Sequence, residues 1–172
     1  MNPSAPPRPG DVTDRILDFL RSIGLPVRDG DAGGDAFLPG VRVDAGGLVV
    51  DRAHLRWPGD LLHEAGHLAV LPPSHRAAMS DALAGHDEVP HAGEMEATAW
   101  AYAATVALGL DPAVLFHAGG YHGRSADLVR TYALGVYPGA HGLVQAGMAS
   151  TGEQARQRGE APYPHMRRWL RE

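Results

Sequence analysis

The sequence predicts a single α+β domain that is mainly helical, in which a small antiparallel sheet packs on two long helices. Two short valine-containing runs flank a pair of glycines, as in a β-hairpin. Many of the other apolar residues recur at helical spacing. The first long helix carries a His-Glu-x-x-His motif, and the second opens with two glutamates. We therefore expect the chemistry of the chain where these two helices meet.

Composition and charge narrow the class of protein. The 172 residues are 44% apolar and carry a formal net charge of −5 without a long run of either sign, which argues against a nucleic-acid partner. The chain has no cysteine, which excludes disulfides and thiolate metal sites. No apolar run has the length of a membrane span, and the proline-rich start lacks the apolar core of a signal peptide. We expect a disordered leader over residues 1–10, one domain over 11–172, no membrane contact and a cytoplasmic location.

The N-terminal part contains one predicted helix and the predicted hairpin. Residues 12–23 carry an apolar stripe that ends at Gly24, which indicates a helix with a glycine stop. Residues 36–43 and 48–51 are predicted strands, because they are rich in valine and the glycine pair within 44–47 permits positive φ in the turn. This hairpin is expected to pack on the helix that follows it.

The central part holds the two long helices. A Trp-Pro-Gly-Asp sequence introduces a predicted helix over residues 60–71, and a proline pair ends it. A shorter helix is predicted over 74–83, followed by a loop over 84–93. An alanine-rich run then predicts the second long helix over about residues 93–109.

The C-terminal part is predicted to contain shorter elements. Asp111 starts a further turn or two of helix, and the glycine-rich residues 117–123 form a loop. Helices are expected over 125–134 and 139–147. The tail, residues 163–172, has its apolar side chains on one side, which predicts a short docked helix.

The His-Glu-x-x-His motif indicates a metal site. His63 and His67 are four residues apart, so on a helix they share one face and can present two imidazoles to one ion. Glu64 lies about 100° further round the helix, where it can act as a base toward water. The surrounding apolar pattern predicts a buried stretch, in which unpaired polar groups are costly and a metal would satisfy them together. A structural or accidental occurrence of the motif is the alternative.

The third ligand must come from another element, because a catalytic zinc ion takes three protein ligands and keeps one position open. Position 73 is proline rather than histidine, which excludes the long metzincin motif. A glutamate on the next long helix would complete a His-His-Glu site. Glu94 and Glu96 both lie at its start, about 200° apart on the helix, so they point to different sides. His91, in the preceding loop, is a weaker candidate.

The two motifs together resemble those of the ImmA/IrrE-type zinc metallopeptidases, over about residues 36–110. In that family a second helix commonly opens Glu-x-Glu/Gln-Ala-Asn/Asp-x-Phe-Ala. The residues that match here, with Trp in place of Phe, are Glu94, Glu96, Ala97, Trp100 and Ala101. The chain departs from the pattern at Thr98. The resemblance implies a small zincin-like fold, a bound Zn²⁺ ion and a protein or peptide substrate, and it favours Glu94 over Glu96 as the third ligand.

The function expected from these residues is zinc-dependent hydrolysis of peptide bonds, with Glu64 as the general base. Such a reaction needs a donor for the oxyanion of the tetrahedral intermediate, and Tyr121 and His122 in the glycine-rich loop are candidates. The alternative for both is an ordinary solvent-exposed loop. Two other functions stay open, a zinc-binding regulatory or interaction module without peptidase activity and a metal-dependent hydrolase of small molecules. The oligomeric state is also open.

Overall fold

The computed structural model describes residues 9–34, 38–80 and 93–172, and helices dominate them. The helices are α1 (Pro9–Ser22), α2 (Gly59–Ala69), α3 (Pro73–Ala78), α4 (Gly93–Ala107), α5 (Pro112–Leu115), α6 (Ser125–Ala133), α7 (Ala140–Gln145) and α8 (Gly152–Arg158). The strands are β1 (Val27–Asp29), β2 (Val41–Asp44) and β3 (Gly47–Val50), and one 3₁₀ turn covers Tyr121–Gly123. The predicted class, α+β and mainly helical with a small sheet, is confirmed.

The sheet contains the predicted hairpin and one strand more. β2 pairs antiparallel with β3, and Val43 lies opposite Leu48. The turn between them uses Ala45 and Gly46 at φ 47° and 76°, the left-handed pair that a tight hairpin requires. β1 pairs with the other side of β3 in parallel, so the sheet order is β1-β3-β2 and the sheet is mixed rather than purely antiparallel. The short β1 has two exposed residues out of three, so its sequence gives no alternating signal.

The first helix begins earlier than its sequence pattern indicates. α1 starts at Pro9, inside the predicted leader of residues 1–10, and residues 1–8 lie outside the described part of the chain. Proline suits the first turn of a helix, because its missing N–H would have no partner there. The buried side chains of Ile16, Leu17 and Leu20 confirm the predicted apolar stripe.

The centre of the domain is the contact between α2 and α4. Both helices are buried on several sides, and α4 runs through the core from Ala97 to Thr105. At Gly66 the two backbones come so close that a Cβ atom would lie 2.5 Å from the carbonyl oxygen of Ala97. β2, β3 and α1 pack on α2 from other directions. The sheet therefore packs on the motif helix, as predicted, and a glycine inside the motif sets how near α4 approaches.

The tail docks, but the predicted helix over 163–172 is wrong. Its backbone is committed elsewhere, because the N–H of Arg167 donates to the carbonyl of Met148 over 2.8 Å and a β-bridge joins Ala149 to Met166. Further along, the Trp169 ring packs edge-on against Trp100, with ring centroids 5.6 Å apart. The apolar residues of the tail thus reach the core from an irregular backbone.

The end of α2 is closed by groups from other parts of the chain. Arg76 of α3 donates to the carbonyls of Leu68 and Leu71, each at 3.0 Å, and to that of Arg171 at 2.6 Å. The N–H of Arg171 donates to the carbonyl of Ala69. A guanidinium at a helix C-terminus satisfies free carbonyls and complements the helix dipole. The motif helix is therefore fixed at its C-terminal end by α3 and the tail.

One helix was missed by the sequence prediction. α8 follows a capping box, in which the hydroxyl of Thr151 accepts from the N–H of Gln154 and the side chain of Gln154 accepts from the N–H of Thr151. The local signal was thus present in the sequence, although only Ala155 of this helix is buried.

Within the described residues, no helix is long and apolar enough to cross a membrane.

Candidate metal centre

Helix α2 brings the two motif histidines together. His63 and His67 are one turn apart, and their Nε2 atoms lie 3.2 Å from each other. The rings are edge to face, with centroids 4.8 Å apart. Both side chains are largely buried, and 18% and 27% of their surfaces stay exposed. The Nε2 atoms of both imidazoles therefore face the same point beside the helix.

Glu94, in the first turn of α4, completes the group. Its Oε1 lies 3.5 Å from Nε2 of His63, and its Oε2 lies 3.2 Å from Nε2 of His67. The Glu94 side chain is 58% exposed, so the group is open to solvent on that side. The close backbone contact between Gly66 and Ala97, three residues after Glu94, brings this carboxylate within reach of α2.

The donor atoms fit a small metal ion. Bonds of about 2.05 Å at tetrahedral angles place neighbouring ligand atoms about 3.3 Å apart. The two imidazole Nε2 atoms, 3.2 Å apart, agree with that spacing, and each lies 3.2 to 3.5 Å from one oxygen of the Glu94 carboxylate. One donor atom from each of the three residues lies within 4.8 Å of the others. His63, His67 and Glu94 could thus hold a metal ion, as the sequence predicts.

The electrostatics of the two histidines differ. Burial, with the nearby His67, lowers the pKa of His63 to about 4, so its imidazole is neutral near pH 7. Burial also acts to lower the pKa of His67, but the carboxylates of Glu94 and Glu64 outweigh it and raise this pKa above its ordinary value. The carboxylates therefore favour a proton on His67, which a metal ion would displace.

The competing carboxylate lies elsewhere. Glu96 packs against Gly142 on α7, so the two glutamates at the start of α4 diverge as the helical geometry predicts. Among the described residues, the group that could hold a metal contains Glu94 and not Glu96. His91 lies outside the described residues.

Glu64 lies beside the group rather than in it. Its side chain is half-buried, and its carboxylate is close enough to raise the pKa of both His67 and Tyr121. The base candidate is thus next to the metal ligands on the same helix. The role of Glu64 as a base stays a prediction of the motif.

Of the two candidates in the glycine-rich loop, the structure brings one to the group. The Tyr121 ring lies edge-on to His63 with centroids 5.9 Å apart. Burial, followed by the charges of Asp60 and Glu94, raises the pKa of Tyr121, so its hydroxyl stays protonated. His122 is exposed, and none of the hydrogen bonds, ion pairs or ring contacts within the described residues joins it to the group. Tyr121 and His122 have φ of 55° and 51°, left-handed values that are strained for residues other than glycine.

Comparisons of this chain with protein-family models, with curated proteins and with solved structures found no match. The metal-binding character of the group is therefore inferred from its own donors, distances and burial. The resemblance of the two motifs to a peptidase family remains an expectation.

A buried hydrogen-bonded pair, Asp60 and His117, lies beside the group and was not predicted from the sequence. Nε2 of His117 and Oδ1 of Asp60 lie 2.8 Å apart, and Trp57 stacks on the His117 ring at 4.6 Å between centroids. Burial raises the pKa of Asp60, and the bond to His117 works against that shift. From the sequence, Asp60 is interpreted as a cap of the motif helix in preference to a residue at the metal, and no local pattern connects it with His117, which is far away in the chain.

Proposed function

We propose that the chain is a zinc-dependent metallopeptidase that hydrolyses peptide bonds in a protein or peptide substrate. One observation carries the proposal. Two largely buried imidazoles and an exposed carboxylate, that of Glu94, lie together as a group that could hold a metal ion, and the Glu64 carboxylate lies beside them. A purely structural zinc site is closed by four protein ligands and needs no neighbouring base. A three-ligand group with a base beside it suits a hydrolase.

The ligand set favours zinc among the common metals. Two imidazoles and one carboxylate are typical ligands of catalytic zinc, whereas calcium and magnesium prefer all-oxygen sites. When bound, zinc would polarise the substrate carbonyl as a Lewis acid and lower the pKa of water to about 7. His63, His67 and Glu94 would hold it, and the exposed side of Glu94 leaves room for a substrate to approach.

Two further residues supply the proton chemistry of the proposed reaction. Glu64 accepts the proton of the attacking water and passes it to the leaving amine, as general acid–base catalysis requires. The protonated hydroxyl of Tyr121 donates a hydrogen bond to the oxyanion that forms at the carbonyl carbon. Its burial beside His63 supports this assignment, since such donors act most strongly where water is excluded.

The peptide substrate is supported by the motif at the start of α4. Glu94, Glu96, Ala97, Trp100 and Ala101 follow the pattern of the ImmA/IrrE-type peptidases, which cleave proteins. Ala97 of this pattern forms the close contact with Gly66, and Trp100 is fully buried against Trp169, so the resemblance involves core residues of α4 as well as its ligand. A regulatory zinc module and a small-molecule hydrolase are outcomes that the following experiment separates.

The experiment compares wild type with Glu64→Gln. The variant keeps all three ligands, so it should retain zinc and fold, while turnover of a cleaved peptide falls by about 10²–10⁴-fold. Substrates come from a peptide library digested with and without a chelator and read by mass spectrometry. Glu153→Gln, an exposed change at the start of α8, is the matched control and should leave turnover unchanged.

Three results would contradict the proposal. Equal turnover by Glu64→Gln and wild type would exclude Glu64 as the base. A wild type that binds zinc but cleaves nothing in the library would favour the module without peptidase activity. Chelator-sensitive hydrolysis of small esters or amides alone would favour the small-molecule hydrolase.

A further inference from the structure

The buried pair of Asp60 and His117 joins the motif helix to the loop that carries Tyr121. Asp60 is in the first turn of α2, one turn before the ligand His63 and the base Glu64. His117 lies just after α5, at the beginning of the loop of residues 117–123. Only 8% and 6% of the two side chains are exposed, and their polar atoms lie 2.8 Å apart. A hydrogen bond so far from solvent restrains both elements, because breaking it leaves a buried charge without a partner.

The loop is built around the His117 side chain. Trp57 covers one face of the imidazole, and a Cβ at Gly119 would lie 2.5 Å from the indole nitrogen of Trp57. A Cβ at Gly120 would lie 3.1 Å from the His117 ring, so both glycines allow the backbone to wrap the stacked rings. The hydroxyl of Ser125 donates to the carbonyl of His117 over 2.6 Å. Moving His117 would therefore move the loop with it.

The other end of the loop lies at the metal group. Tyr121 packs edge-on to His63 and also contacts Phe116, with ring centroids 5.2 Å apart. Its hydroxyl is buried and has no hydrogen-bond partner among the described residues. No hydrogen bond within that part of the chain therefore holds the phenol in place, and its backbone is strained. A strained residue persists only where its surroundings fix it, and the His117 anchor is four residues away.

We propose that Asp60 and His117 are positioning residues, which fasten the 117–123 loop to the motif helix and so keep the Tyr121 hydroxyl beside the metal ligands. The placement of the loop stands on the geometry alone. The effect on turnover rests on the proposed peptidase function. Asp60 and His117 act through Tyr121 and do not touch the reacting atoms.

The test measures loop mobility and catalysis separately. Hydrogen–deuterium exchange of the metal-free protein reports on the amides of Gly120, Gly123 and Arg124, which are hydrogen-bonded inside the loop. In Asp60→Ala these amides should exchange at least about tenfold faster, since local opening sets the exchange rate. Asp51→Ala is the matched control, because Asp51 and His54 form a similar Asp–His pair, at 2.7 Å, on an exposed turn. It should leave exchange in the loop unchanged.

Catalysis is then read on zinc-loaded protein. Asp60→Ala should keep its zinc and lower kcat to the level of Tyr121→Phe, with KM changed far less. The double variant of the two should be no slower than either alone, because both remove the same hydroxyl from the site. His117→Gln, whose amide can still donate to Asp60, should restore much of the loop protection that His117→Ala loses.

Several outcomes overturn the proposal. Unchanged loop exchange in a folded Asp60→Ala or His117→Ala would show that the pair does not hold the loop. Losses that multiply in the double variant would show that the pair acts independently of Tyr121. Zinc lost from Asp60→Ala would place its action on the ligands instead. If Asp60→Ala does not fold, the two His117 variants decide by exchange. If wild type cleaves nothing, the proposed function fails while the exchange result still decides the role of the pair.

Discussion

The unequal histidines make a quantitative prediction about how zinc affinity depends on pH. In the metal-free protein the pKa of His63 is lowered to about 4, while that of His67 is raised above its ordinary 6.5. Between these limits His63 is already neutral and His67 carries a proton. Binding requires both imidazoles to be neutral, so one proton must leave for each ion bound.

The expected magnitude follows from that count. One proton released per ion makes the affinity rise about tenfold for each pH unit, or about 1.4 kcal/mol. From about pH 5 to 6.5 the total increase is then about 30-fold. Two ordinary histidines would release two protons at the acid end of this range and give a slope approaching twice as steep. The sign is fixed, since acid adds the competing proton and weakens binding.

The assay is a competition titration against a chromophoric chelator whose own pH dependence is known, at four pH values across this range. Calorimetry in two buffers of different ionisation enthalpy counts the released protons independently. A slope near two would refute the claim that burial keeps His63 neutral. A flat profile would refute the assignment of the histidines as ligands.

Three further predictions concern the ligand residue and the contacts that support the site. Glu94→Gln should bind zinc about 10-fold or more weakly, whereas Glu96→Gln, in the same turn, should bind normally; the reverse result in a chelator competition would transfer the ligand role to Glu96. Gly66→Ala should lower the free energy of unfolding by about 3 kcal/mol, because the new methyl group meets backbone at 2.5 Å, and an unchanged urea midpoint would contradict this. Arg76→Ala should cost about 2–3 kcal/mol by removing charge-assisted bonds to three carbonyls, and Arg76→Lys should recover only part of it in thermal unfolding.

The site was predictable from sequence to the extent that helical geometry decides it. The spacing of His63 and His67 and the opposite directions of Glu94 and Glu96 follow from 3.6 residues per turn, so local pattern was enough. The pairing of Asp60 with His117 was not predictable in this way. It connects two elements whose approach depends on the packing of the whole domain, and the sequence holds no periodicity between them. His122 shows the converse limit, since a loop residue next to Tyr121 can point into solvent.

The elements of the fold also separate into those that a local pattern predicts and those that depend on tertiary contacts. The hairpin and the long helices follow from alternation, helical periodicity and stops such as Gly24. The parallel strand β1 was missed because three residues with two exposed side chains are held in place by β3 rather than by their own pattern. The predicted tail helix does not form because the backbone N–H of Arg167 donates to the carbonyl of Met148 on a distant segment. Tertiary hydrogen bonding thus overrode a local helical pattern in the tail and formed a strand without a local pattern at β1.

The contact between Gly66 and Ala97 also means that the order of the two middle residues of the motif, Ala65 and Gly66, determines how closely α4 can approach α2. Exchanging Ala65 with Gly66, so that the glycine comes first, would preserve His63, Glu64, His67 and the composition, and a pattern search would rate both sequences alike. In the folded protein the exchange would remove a methyl group from a fully buried position and insert one where a neighbouring backbone already lies. The second helix would then have to move outward and carry Glu94 away from the imidazoles. The two middle positions of the motif are therefore not interchangeable in this fold, because only the second one requires glycine.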